Sequence, residues 1–168
     1  RCDNAALKAR LLVTNPILHP GVIAKAEVMK DLNYDATLTC TEDLELWTRM
    51  AMKNFKMAIL PECLLIYRLH DKQISVTTLE RQRAEVIKIQ QKYFDAFADK
   101  MDDDMSAFYI SGVYFTEKPD ISKFLEYAKW LKDTNNKKIN ISDINYALLE
   151  VLAEYKRYGV SKQDILKT

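Results

Sequence analysis

The sequence predicts a predominantly helical α+β chain, with a few short strands in residues 1–75 and only helices in residues 76–168. Three observations carry that expectation. Behind Thr41, the acidic pair Glu42-Asp43 opens a run in which Leu44, Trp47 and Ala51 recur three and four residues apart, with Leu46 and Met50 on the next stripe. That is the spacing of an amphipathic helix from about Glu42 to Lys53. Cys63-Leu64-Leu65-Ile66, followed by Tyr67 and Leu69 alternating with Arg68 and His70, has the composition of a strand that starts buried and ends polar. From Val76 onward, apolar residues return at helical spacing behind successive capping residues.

Taken in order, Ala5–Leu12 reads as a short helix ended by Thr14-Asn15-Pro16, because the residue before a proline is pushed out of the α region. Ile17–Ala24 is broken by Pro20-Gly21 and carries His19; within it Gly21–Ala24 reads as a strand or extended segment, and Lys25–Leu32 as a second short helix. The polar stretch Asn33-Tyr34-Asp35-Ala36-Thr37 delivers the chain to the acidic helix, whose expected N-cap is Thr41. Glu42, Asp43 and Glu45 fall in the first turn, where unpaired N–H groups and the helix dipole favour negative charge, so capping alone is a sufficient reason for these acids. Lys56–Pro61 is a short apolar run closed by proline. In the tail, Leu79–Ala98 puts Ala84, Ile87, Gln91, Phe94 and Ala98 on one face, with Val86, Ile89, Tyr93 and Phe97 beside it. Met105–Phe115 is the next helix. Asp120 caps another, whose face is Ile121, Phe124, Leu125, Ala128 and Leu131. Ser142 caps the last, with Ile144, Leu148, Val151 and Tyr155 as its stripe and Gly159 as its stop; Ser161 starts a final turn.

With 168 residues, 48% hydrophobic and 29% charged, the chain suits one soluble unit able to bury a real core. A net charge of +1 argues against nucleic acid as a partner and against a basic membrane-binding face. No apolar run approaches the ~20 residues of a membrane span. These features point to a cytoplasmic protein, peripheral at the inner face of the membrane if it meets one. Cys2, Cys40 and Cys63 are odd in number and lack CxxC spacing, so they read as thiols in a reducing compartment. With Gly21, Gly112 and Gly159 as its only glycines, the chain contains no glycine-rich phosphate loop. It opens on Arg1 without Met or signal peptide and reads as a piece of a longer protein.

An ordered series of motifs runs through the first part. Asn15-Pro16-Ile17-Leu18-His19-Pro20 is followed by Asn33-Tyr34-Asp35, then Glu42-Asp43-Leu44-Glu45-Leu46-Trp47-Thr48-Arg49, then Leu65-Ile66-Tyr67-Arg68-Leu69-His70 with Gln73-Ile74-Ser75. Over roughly Asn15 to Ser75, under half the chain, this series resembles the C-terminal half of the catalytic domain of family-two glycosyltransferases. Those are inverting nucleotide-sugar enzymes with a GT-A fold, many of them used by bacteria in capsule and other surface-polysaccharide assembly. The resemblance implies that residues 1–75 are the C-terminal half of a nucleotide-diphospho-sugar transferase domain lacking its nucleotide-binding half, and that 76–168 form a helical C-terminal region. It also implies transfer of a sugar from a nucleotide-sugar donor to a saccharide or lipid-linked acceptor.

In such a transfer Asp43 would be the general base for the acceptor hydroxyl, and Glu42 would bind the acceptor or act on Asp43 by like-charge repulsion. Trp47 matches the motif and would stack on a sugar, although a tryptophan one turn inside a helix is more often core. Arg49 would pair with Glu45 as an exposed i,i+4 pair of small value. Arg68 would meet a phosphate. His70 would reach the diphosphate or a Mg²⁺ or Mn²⁺ ion of the full-length enzyme, unless it is a strand-end histidine bonded to backbone. His19 lies in the acceptor-side stretch, as a substrate-binding or a structural residue.

Asp102-Asp103-Asp104 has the pattern of the metal-binding DxD of these enzymes, but it follows a helix and comes after the Glu-Asp helix it should precede, so it reads as a solvated helix junction. Without its DxD half the chain alone is expected to hold no cofactor, to be inactive, and to self-associate through an unpaired sheet edge. The competing reading is a non-catalytic helical protein-interaction module, in which the acidic helix is merely capped.

Overall fold

The computed structural model describes residues 3–68, 78–97, 102–113, 119–135 and 138–160, and every regular element among them is helical. The α-helices are α1 (Asn4–Arg10), α2 (Ala26–Leu32), α3 (Glu42–Met52), α4 (Leu79–Phe97), α5 (Asp103–Gly112), α6 (Ile121–Thr134) and α7 (Ile141–Tyr155), with 3₁₀ turns at His19–Gly21 and Lys156–Tyr158. The expected α+β class, a GT-A half with a few short strands, is therefore overturned: no strand occurs among the described residues. Residues 63–68 run as irregular, exposed chain, with Ile66 99% exposed, while Leu69 and His70 lie outside the described residues. Gly21 closes a 3₁₀ turn, and Val22 is extended (φ −84, ψ 133) without joining a ladder. The physical reason is that a strand needs a second strand to take its N–H and C=O groups, which apolar alternation in one segment does not supply.

The helices follow their local chemistry closely. Asp3 accepts from the amides of Ala5 and Ala6 to open α1, and Asp120 accepts from those of Ser122 and Lys123 to open α6. Asp102 caps α5 through the amide of Met105, so the Asp102-Asp103-Asp104 triplet is an exposed helix start. The cap of α7 is Asn140 rather than Ser142, whose amide and hydroxyl both donate to the Asn140 carboxamide oxygen. α3 ends in a Schellman motif: Phe55 N–H returns to Met50 O at 3.0 Å and Asn54 N–H to Ala51 O at 3.1 Å. Asn54 takes the left-handed position (φ 62) that glycine more often fills. Gly159 (φ 78) ends the last helical stretch as expected.

α1 and the turn that follows it are deeply buried at Leu7, Ala9, Leu11, Leu12 and Val13. Its C-terminal carbonyls can be accounted for one by one. Leu7 O, Ala9 O and Arg10 O accept from the following amides of Leu11, Leu12 and Val13. The others are met by side chains of the tail: Tyr93 OH donates to Lys8 O at 3.0 Å, Gln90 Nε2 to Leu11 O at 3.0 Å, and Tyr127 OH to Leu12 O at 2.7 Å. α7 packs along α1, with Arg10 Nε 2.7 Å from Glu150 Oε2, and α3 packs on α4. α4 continues onto α5, α5 onto α6, and α6 onto α7, so a single hydrophobic cluster runs from Leu44 and Trp47 through Phe94 and Tyr127 to Tyr155. On α4 the buried stripe is Val86, Ile89, Tyr93 and Phe94 with Gln82 and Gln90, while Ala84 is exposed. Of the two adjacent stripes expected, the one with Val86, Ile89 and Tyr93 is the buried one, joined by Phe94 of the other and by Gln90, which donates to Leu11 O.

Candidate active site at the start of the acidic helix

The first turn of α3 collects residues from three separate motif segments. Glu42 and Asp43 are half-buried there. Asn15 Nδ2 donates to Asp43 Oδ2 at 2.9 Å, and the Leu44 amide donates to Oδ1 at 2.7 Å. Asn15 also accepts from the Ile17 amide at 3.3 Å, an Asx-type turn that explains why asparagine precedes Pro16 at this bend. The chain then enters the His19–Gly21 turn, where His19 Nε2 and the Tyr34 hydroxyl share a hydrogen bond of 2.9 Å. The His19 ring lies 5.4 Å from that of Tyr34 and meets the Trp47 ring edge-on at 6.2 Å. Burial, and then the charges of Asp43 and Glu42, push the Tyr34 phenol above its usual range, which couples this aromatic group electrostatically to the carboxylate pair.

The Tyr34 loop is held from below by Arg49. Its guanidinium forms a fork with Glu45 (Nη2 to Oε2 2.7 Å) and also donates to the carbonyls of Leu32 and Asn33, where α2 ends. Asn33 has a positive φ (φ 51, ψ 161), and the Arg49 bond to its carbonyl holds the chain there. Arg49 and Glu45 side chains are only 19% and 11% exposed, so the pair expected to be a weak surface contact is instead a largely buried clamp. Sequence spacing identified the pair but not the two carbonyls that burial brings to it.

Of the residues singled out from sequence, His19, Glu42, Asp43 and Trp47 come into one neighbourhood. Trp47 is 2% exposed and gives its ring to the core. Its Nε1 and Glu42 Oε2 are buried without a hydrogen-bond partner among the described residues. Arg68 is exposed at the end of the 63–68 segment, which passes the His19 turn where Leu65 Cδ2 lies 3.8 Å from the position of a Cβ on Gly21. His70, named as a substrate and metal residue, lies outside the described residues. Among the described residues no three of His, Cys, Asp and Glu are grouped so as to hold a metal ion.

Three participants were not picked out from sequence. Asn15 and Tyr34 stood in the motif series without an assigned role. Glu85, on α4, carried no signal at all: its Oε2 accepts from the Thr41 hydroxyl at 2.7 Å and its Oε1 from Arg81 Nε at 3.0 Å. Burial pushes the Glu85 carboxyl up, but the bonds from Thr41 and Arg81, the charge of Arg81 and a bond from Cys40 together hold it below the usual range.

A half-buried carboxylate oriented by an amide side chain and bordered by polar aromatic rings is able to accept a proton from a hydroxyl. Comparison with known proteins finds one distant similarity. The chain is 29% identical over 66 residues to an uncharacterized glycosyltransferase of Methanocaldococcus jannaschii, a match covering 39% of this chain and 23% of that protein. The chain thus spans about a quarter of the length of the relative it matches. No protein-family model and no solved structure matches it.

Proposed function

We propose that this chain forms the acceptor side of an inverting glycosyltransferase, with Asp43 as the general base. The observation that carries the reading is the setting of Asp43: a carboxylate at a helix start, fixed through both oxygens yet retaining free lone pairs. Each carboxylate oxygen has two lone-pair sites, and Asn15 and the Leu44 amide use one apiece. A further site is left for an acceptor hydroxyl. As that hydroxyl attacks the anomeric carbon, its proton passes to Asp43, the new glycosidic bond forms, and the bond to the nucleoside diphosphate breaks with its electron pair leaving on the phosphate oxygen. The His19–Tyr34 pair offers ring faces and polar edges to the acceptor saccharide or lipid-linked saccharide. Trp47 backs His19 from the core, and Glu42 stands ready to accept a second acceptor hydroxyl.

Arg68, and His70 beyond it, are the residues of this chain assigned to the donor phosphates. The described residues do not by themselves fit a metal ion, and no step of the proposal passes through one. Assembly of surface polysaccharide at the cytoplasmic face of the membrane is the setting this chemistry suits. Among the described residues no helix is long and apolar enough to cross a membrane.

The test is Asp43→Asn in the full-length protein. The substitution keeps the shape and the Asn15 neighbour but removes the base, so transfer should fall by about 10²–10⁴-fold with the circular dichroism spectrum unchanged. Turnover at the unsubstituted rate would remove Asp43 from the role.

A further inference from the structure

A threonine at a helix N-cap ordinarily turns its hydroxyl oxygen toward the first-turn amides. Thr41 occupies the N-cap of α3 but makes no such bond; its buried hydroxyl donates instead to Glu85, a residue 44 positions later on α4. Glu85 is itself fixed, because its second oxygen accepts from Arg81 one turn earlier on the same helix. The capping function has been given up for a cross-helix tie, and the tied residue stands two positions before Asp43.

From this we infer that Glu85 is a positioning residue, through which the helical tail sets the placement of the Glu42–Asp43 carboxylates. The inference rests on the reading of Asp43 as base. The physical argument is one of leverage. Asp43 is fixed to its own turn by the Leu44 amide, its tie to Asn15 is one side-chain bond of 2.9 Å, and Thr41 gives the turn no side-chain cap. If the Thr41–Glu85 bond is lost, the turn can swing about its remaining attachments, and the carboxylate moves relative to Asn15 and to the His19–Tyr34 pair. Displacements of about 1 Å at a catalytic group cost on the order of 10²-fold in rate. Such a loss falls on the chemical step and on the acceptor, which Glu42 and Asp43 both meet, and leaves donor binding alone, because the groups assigned to the phosphates are not altered.

Two variants isolate the tie. Thr41→Val is close to isosteric and removes only the donor, whereas Thr41→Ser keeps it. The first readout needs no substrate: the side-chain amide resonance of Asn15, measured by nitrogen–proton NMR on this chain. Thr41→Val and Glu85→Ala should each shift it toward the position of a solvent-exposed asparagine, and Thr41→Ser should leave it in place. The second readout is release of UDP or GDP from UDP- and GDP-hexoses by the full-length protein. There Thr41→Val should lower kcat by about tenfold or more with KM for the donor within about twofold, and Thr41→Ser should restore the rate. The double variant Thr41→Val/Glu85→Ala should be no slower than Glu85→Ala alone, since Glu85→Ala already removes the contact that Thr41→Val removes. An Asn15 resonance unchanged in Thr41→Val would overturn the positioning role, as would wild-type turnover by Thr41→Val in a protein that Asp43→Asn inactivates. Wild-type turnover by Asp43→Asn would overturn the base itself, a separate result.

Discussion

Tyr127→Phe tests how tightly the tail is joined to α1. The ring of Tyr127 is fully buried, 6.1 Å from Phe94 and 5.4 Å from Tyr109, and its hydroxyl donates to Leu12 O at 2.7 Å. Phenylalanine keeps the ring, its aromatic neighbours and nearly all of its volume, so no cavity larger than a hydroxyl is made. What changes is that the Leu12 carbonyl, at the buried end of α1, loses its side-chain donor. Leaving such an acceptor unsatisfied costs about 1–3 kcal/mol, with about 2 kcal/mol the central expectation. For a chain of this size each kcal/mol moves Tm by about 2–4 °C, so a fall of about 4–8 °C is expected. Urea unfolding followed by circular dichroism gives the free energy directly, and the slope with urea should be unchanged, since the same surface is exposed on unfolding. Tyr146→Phe on α7, where the ring is 43% exposed, is the control and should stay within about 0.5 kcal/mol. If Tyr127→Phe is no more costly than Tyr146→Phe, the accounting of α1 carbonyls by tail side chains is wrong.

Three further outcomes are expected. A Cβ on Gly112 would lie 2.4 Å from the backbone nitrogen of Phe124 and 2.6 Å from its Cα, so Gly112→Ala should separate α5 from α6 at a cost of about 1–3 kcal/mol, read by the same urea titration. Arg49→Lys should recover little of the loss seen in Arg49→Ala, because an ammonium does not reproduce the fork on Glu45 together with the carbonyls of Leu32 and Asn33; amide exchange should rise first around Tyr34. Burial raises the phenols of Tyr93, Tyr127 and Tyr155 above the ordinary value of about 10. Their contribution to stability is therefore fully present below that value and is lost as pH rises beyond it, because the unfolded chain gives up its phenolic protons first. These three tyrosines should ionise, by ultraviolet absorbance of the phenolate, only together with unfolding.

How much of the molecule was legible in the sequence differs by residue. Asp120 as a cap, Gly159 as a stop and the 42–53 helix follow from groups within a few positions of one another, and the structure has them where the sequence puts them. The acidic pair at the start of α3 was legible for the same reason. The burial of Arg49 was not, because its two carbonyl partners belong to the end of α2, 16 and 17 residues earlier. On α4 the stripe of Val86, Ile89 and Tyr93 was legible, but hydrophobicity alone gave Gln90 no reason to be inside. Leu11 O, 79 residues away from Gln90, supplies that reason.

By itself, then, the sequence determined that the helices exist, their ends to within a few residues, and which carboxylates crown the third of them. A helix closes its hydrogen bonds between residues four apart, so its signals lie within one window of the chain. Only the tertiary structure decided that the apolar stretch 63–68 forms no strand, that Asn15 reaches Asp43, and that Glu85 takes the hydroxyl of Thr41. Each of those depends on a partner brought in from a distant part of the chain, and no local pattern records whether that partner arrives.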